Sequence, residues 1–110
     1  MTGREEVMSK RELLEIEMVS VKFYSNKDED DFFAWLQSIP SVVEVEGRGR
    51  SLYAFVNEAA LSMDDAREFA ALFYRYRISL KELAKFGSGP IAAEFNNPKG
   101  YWYTDVFGVD

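Results

Sequence analysis

Between Glu12 and Val56 the spacing of apolar residues changes from two, to three or four, and back to two. That change restricts the chain to a mixed α+β fold. Residues 12 to 24 alternate like a strand, but in two phases. Leu14, Ile16 and Met18 share one phase, and Val19, Val21 and Phe23 share the other. A β-bulge or a change of element at Met18–Val19 would produce the flip, and Val19 to Tyr24 reads as the firmer strand. After the polar stretch Ser25 to Asp31, the residues Phe32, Phe33, Leu36 and Ile39 recur at helical spacing. They predict an amphipathic helix ended by Pro40. Val42 to Glu46 alternates again, with Val43 and Val45 opposite Glu44 and Glu46. Gly47-Arg48-Gly49-Arg50 reads as a turn, and Leu52 to Val56 as the second strand of a hairpin.

The second half reads as helical. Ser62 with Asp65 resembles a capping box, and Ala66, Phe69, Ala70, Phe73 and Tyr76 form the apolar stripe that follows. Ser79 with Glu82 marks another start, carrying Leu80, Leu83 and Phe86, with Gly87 as a C-terminal stop. Pro90 could open one short turn through Phe95. The tail admits two readings. Tyr101 to Phe107 is rich in strand formers, so a fourth strand is possible. Asn97-Pro98, the pairs Trp102/Val106 and Tyr103/Phe107, and Gly108 favour a short helix. The order is then β-α-β-β-α-α, closed by a further helix or a strand. The expected fold is a small antiparallel or mixed sheet of three to four strands with helices on one face. This is a split β-α-β, ferredoxin-like arrangement or a truncated variant of it. Residues 1–11 read as a flexible leader and residues 12–110 as a single domain.

Composition removes whole classes of chemistry. The chain has no cysteine and no histidine, hence no disulfide framework, no thiolate nucleophile and neither of the commonest soft or nitrogen metal ligands. No metal site, cofactor or catalytic residue is assigned. The formal net charge is −6, which argues against a nucleic-acid or anionic-membrane surface and suits a cationic partner. The leader is charged and has no apolar signal-peptide core, and no apolar run approaches membrane-spanning length. A cytoplasmic location is therefore expected.

Two patches stand out as partner-binding candidates. The acidic run Asp28, Glu29, Asp30 and Asp31 could meet a basic partner, although a helix N-terminus also favours negative charge. It lacks the spacing and glycine of a calcium loop. The run Tyr101, Trp102 and Tyr103 is the densest aromatic cluster. On a helix, consecutive residues point about 100° apart, so at least one of these rings is expected at the surface or the edge of the core. Phe73-Tyr74-Arg75-Tyr76-Arg77 interleaves rings and cations as single-strand binders do. It also fits the end of a helix, where Arg suits the dipole.

The segments V-K-F-Y-S (21–25), D-D-F-F-A-W-L (30–36), A-L-F-Y-R-Y-R-I-S-L-K-E-L (71–83) and Y-W-Y-T-D-V-F-G (101–108) resemble small bacterial immunity proteins. The likeness is to those of contact-dependent growth inhibition and related polymorphic toxin systems. It implies a non-catalytic inhibitor of a cognate toxin domain, a nuclease with a basic surface being the expected target. It carries no site residues across. The competing expectation is a small regulatory or metabolite-binding α+β module. A histidine-free enzyme using Asp, Glu or Tyr is a third.

Overall fold

The computed structural model describes residues 9–108; most of the leader, residues 1–8, lies outside that range. Three strands form one antiparallel sheet: β1 (Leu14–Val19), β2 (Val42–Arg48) and β3 (Ser51–Val56), in the order β1-β3-β2. β1 and β2 are thus parallel to each other with β3 between them, joined through α1 (Asn26–Ser38). This is the split β-α-β expected from the sequence, in its three-stranded, truncated form.

Ser20 explains the phase flip at the end of β1. Its backbone sits at φ 52, a left-handed conformation that ends the strand, and its N–H donates to Arg50 O at 2.8 Å. The strand is therefore Leu14–Val19, not Val19 to Tyr24. Ile16 and Met18 enter the core, and Phe23 packs beyond the sheet against Phe32, Phe33 and Tyr76. A β-bulge between Val42 and Glu44 corrects a second expectation. It pushes Val43 out, leaving it 53% exposed, while Val42 and Val45 pack on the core. The hairpin turn is tighter than Gly47 to Arg50. Gly47 and Arg48 belong to β2, and Gly49, at φ 57, makes the reversal with Arg50.

Ser25 caps α1, its Oγ accepting from Asp28 N, and the helix stops two residues before Pro40. Ser62 caps α2 (Met63–Arg75) in the same way, accepting from Asp65 N at 3.1 Å. Asp65 does not complete the expected box. It is buried and its carboxylate accepts from Ser41 N at 3.2 Å, tying α2 to the start of β2. Leu80–Ser88 is a 3-10 helix that runs through Gly87 instead of stopping there. Leu80, Leu83 and Phe86 are all buried, and their spacing of three matches a helix of three residues per turn. Two short helices close the chain, α3 (Ala92–Phe95) and α4 (Tyr103–Phe107). The tail is therefore helical. Asn97 does not cap α4; its side chain accepts from Lys99 N in a turn before the helix.

The core lies on one face of the sheet. Ile16, Met18, Ala54 and Val56 meet Phe32 and Leu36 of α1, Phe69 and Phe73 of α2, and the 3-10 helix through Leu83 and Phe86. The 3-10 helix also takes the place where a fourth strand would pair with β1. Glu82 accepts from Glu17 N at 2.9 Å, and Lys85 Nζ donates to Glu15 O at 2.8 Å. Two side chains thus satisfy an edge that would otherwise invite another strand.

Candidate functional site

The C-terminal end of α2 organises one surface. Its last turn closes with Ile78 N–H bonding to Phe73 O at 2.9 Å and Arg77 N–H to Tyr74 O at 3.4 Å. This is a Schellman closure whose left-handed position, φ 59, is filled by Arg77 where glycine is usual. Tyr76 turns inward, edge-on to Phe32 with centroids 4.9 Å apart, and its hydroxyl donates to Asp28 O at 3.3 Å. Burial raises the Tyr76 pKa, and the Asp28 charge adds to the effect.

Between this helix end, α1 and the Ser20–Tyr24 segment lies an open cleft of about 870 Å3. Lys22, Arg75 and Arg77 supply its cations; Tyr24, Trp35 and Tyr76 supply its rings; Asp28 and Asp31 line it as well. Among the described residues none of the three cations forms an ion pair. The carboxylates are engaged. Asp28 accepts from Tyr24 N at 3.0 Å, and Asp31 pairs with Lys27 at 3.1 Å. Trp35 is fixed by its indole N–H, which donates to Glu68 at 2.7 Å.

Both patches singled out in the sequence border the end of α2. Asp28 and Asp31 line the cleft, while Glu29 and Asp30 are exposed on α1. The acidic run therefore stands beside three cations rather than forming an isolated negative patch. On the other side, the Tyr74 hydroxyl donates to Asp105, and the Tyr74 and Tyr101 rings lie 6.2 Å apart. Burial first, and the Asp105 hydrogen bond second, push the Tyr74 pKa up to about 12. The aromatic trio divides by role. Tyr101 is 60% exposed, Tyr103 is half-buried, and Trp102 is buried, stacked on Phe95 with its indole donating to Phe95 O at 2.9 Å.

A second surface was not singled out from the sequence. The face of the sheet turned away from the core carries Glu15 and Glu17 on β1, Tyr53 and Phe55 on β3, and Glu44 and Glu46 on β2. Two of the chain's own cations sit on it. Lys10, in a 3-10 turn (Lys10–Glu12), bonds Glu46 at 2.6 Å and Glu44 at 3.2 Å with its ammonium 5.1 Å from the Phe55 centroid. Arg48 bonds Glu46 at 3.2 Å and lies 4.7 Å from the Tyr53 centroid. The hydrogen bonds raise the Lys10 pKa and lower that of Glu46. Glu17 accepts from the hydroxyls of Ser51 at 2.6 Å and Tyr53 at 3.2 Å. The period-two glutamates in β1 and β2 were the available signal, but the strand order that unites them was not visible.

Among the described residues, no group of three or more acidic side chains could hold a metal ion, and no helix is long and apolar enough to cross a membrane. Comparison with protein-family models, curated proteins and solved structures found no match.

Proposed function

We propose that this chain is a non-catalytic binding protein of the cytoplasm, an immunity protein that neutralises a cognate toxin domain by direct contact. The observation that carries the reading is the open sheet face. There the chain's own Lys10 and Arg48 are each held between carboxylates and over an aromatic ring. Every carboxylate of this face is already engaged, Glu15 by Arg48 at 3.8 Å and Glu17 by the Ser51 and Tyr53 hydroxyls, so lysine and arginine side chains of a basic partner would bind by competing with Lys10 and Arg48 for the four glutamates. The net charge of −6 would steer such a partner toward the chain. A nuclease domain, basic because its substrate is polyanionic, fits that description. Asp30, Glu29 and Tyr101, exposed near the other surface, remain candidate contacts.

The test is co-purification of the full chain with the C-terminal domain of a toxin encoded immediately upstream. A stable complex that weakens with salt, and weakens again in Glu44→Lys, is expected. Absence of a complex at about micromolar concentration overturns the reading. A complex indifferent to Glu44→Lys but lost in Asp30→Lys moves the contact from the sheet to α1.

A further inference from the structure

We propose that the cleft at the end of α2 binds a small anionic ligand with a planar ring, of nucleoside-monophosphate size. Its phosphate would be held by Lys22, Arg75 and Arg77, and its ring would pack on Trp35 and Tyr24. The inference is independent of the toxin-neutralising reading and stands on the cleft alone.

Charge decides the sign of the ligand. Three cations line the cleft of a protein with a net charge of −6, and none has an ion-pair partner among the described residues. Two carboxylates share the lining: Asp31 is paired with Lys27, while Asp28 accepts from the Tyr24 amide and keeps its charge, so three cations face one carboxylate without an ion-pair partner. The carbonyls at the end of α2 would repel an anion, but those of Leu72, Phe73 and Tyr74 accept hydrogen bonds from the closing turn. The balance of charge lining the cleft is therefore cationic. Arginine and lysine together suit a phosphate, Arg by its planar fork and Lys as a compact charge.

The walls decide the rest. Trp35 is locked by Glu68 and Tyr76 by Asp28 O, so both rings are placed before any ligand arrives. Tyr24 is 83% exposed at the cleft and can close over a ring. The volume, about 870 Å3, falls within the range of small-molecule sites. Among the described residues, Ser20 and Arg77 are the only ones other than glycine with positive φ, and both line this cleft. Strained backbone that a fold tolerates is concentrated at functional sites.

The experiment is calorimetric titration of the full chain with adenosine monophosphate, alongside adenosine and a short single-stranded oligonucleotide. Saturable one-to-one binding is expected, with adenosine weaker by about tenfold or more for want of the phosphate contacts. Arg77→Gly suits the left-handed backbone and should fold, and it should weaken monophosphate binding to a similar degree. Lys99→Ala, far along the chain and outside the cleft, should bind as wild type does. No saturation up to about 1 mM overturns the proposal. So do wild-type binding in both Arg77→Gly and Lys22→Ala, or an oligonucleotide bound more than about tenfold tighter than the monophosphate.

Discussion

Replacing Arg77 by glycine should make the protein more stable while weakening its cleft. The residue occupies the left-handed position that ends α2, at φ 59. A side chain bearing Cβ in that conformation costs about 1–2 kcal/mol, and glycine does not incur it. Glycine loses more backbone freedom on folding, which offsets about 0.5–1 kcal/mol of the gain. Among the described residues the Arg77 side chain has no ion pair to lose. The net expectation is a gain of about 0.5–1 kcal/mol, a melting temperature higher by about 2–6 °C for a domain of this size. Thermal unfolding followed by circular dichroism measures it, with Arg77→Ala as the control. Alanine removes the guanidinium but keeps the strained Cβ, so it should stay within about 0.5 kcal/mol of wild type. A lower melting temperature for Arg77→Gly would refute the strain argument. An equal gain for both variants would place the cost in the guanidinium charge beside Arg75, not in the backbone.

The Ser41 hydroxyl is buried with no hydrogen-bond partner among the described residues. Ser41→Ala should therefore raise stability by about 1 kcal/mol in urea unfolding, because its backbone bonds to Asp65 and Asn57 survive. Val43→Lys, at the bulge, should change stability by less than about 0.5 kcal/mol, whereas Val45→Lys should cost at least about 2 kcal/mol. The Tyr74 pKa is raised in the folded state from 10.0 to about 12, so its contribution is full below pH 10 and lost as pH rises toward 12. Melting temperature should fall across that window. The fall should be shallower in Tyr74→Phe but still present, because Tyr76 is raised in the same direction.

What the sequence made legible was local. The change of hydrophobic period placed α1, the hairpin and α2, and the buried sets Phe32/Leu36 and Phe69/Phe73 follow from it. Single backbone events defeated the rest. A left-handed Ser20 reassigned β1, because alternation alone cannot tell a strand from the extended segment that follows it. One bulge reversed Val43. Asp65 and Glu82 looked like capping partners, and each instead satisfies a backbone amide far away in sequence, at Ser41 and Glu17. The three-residue spacing of Leu80, Leu83 and Phe86 was a readable sign of a 3-10 helix that an α-helical template absorbs. Both candidate surfaces depend on such distant neighbours. Lys22, Trp35 and Arg77 line one cleft because α1 and α2 share a core and are tied by the Trp35–Glu68 and Tyr76–Asp28 hydrogen bonds. The four outward glutamates meet only because β3 lies between β1 and β2.

If the acidic, ring-bearing sheet face binds a basic toxin domain, the charges of the two surfaces must govern how fast they associate. The full chain would be immobilised and the C-terminal domain of the upstream-encoded toxin passed over it at low and high salt. A one-to-one complex is expected, with an association rate that drops by about tenfold or more as salt rises and drops further in Glu44→Lys. No binding at about micromolar toxin would contradict it, as would binding indifferent to both salt and the charge of that face.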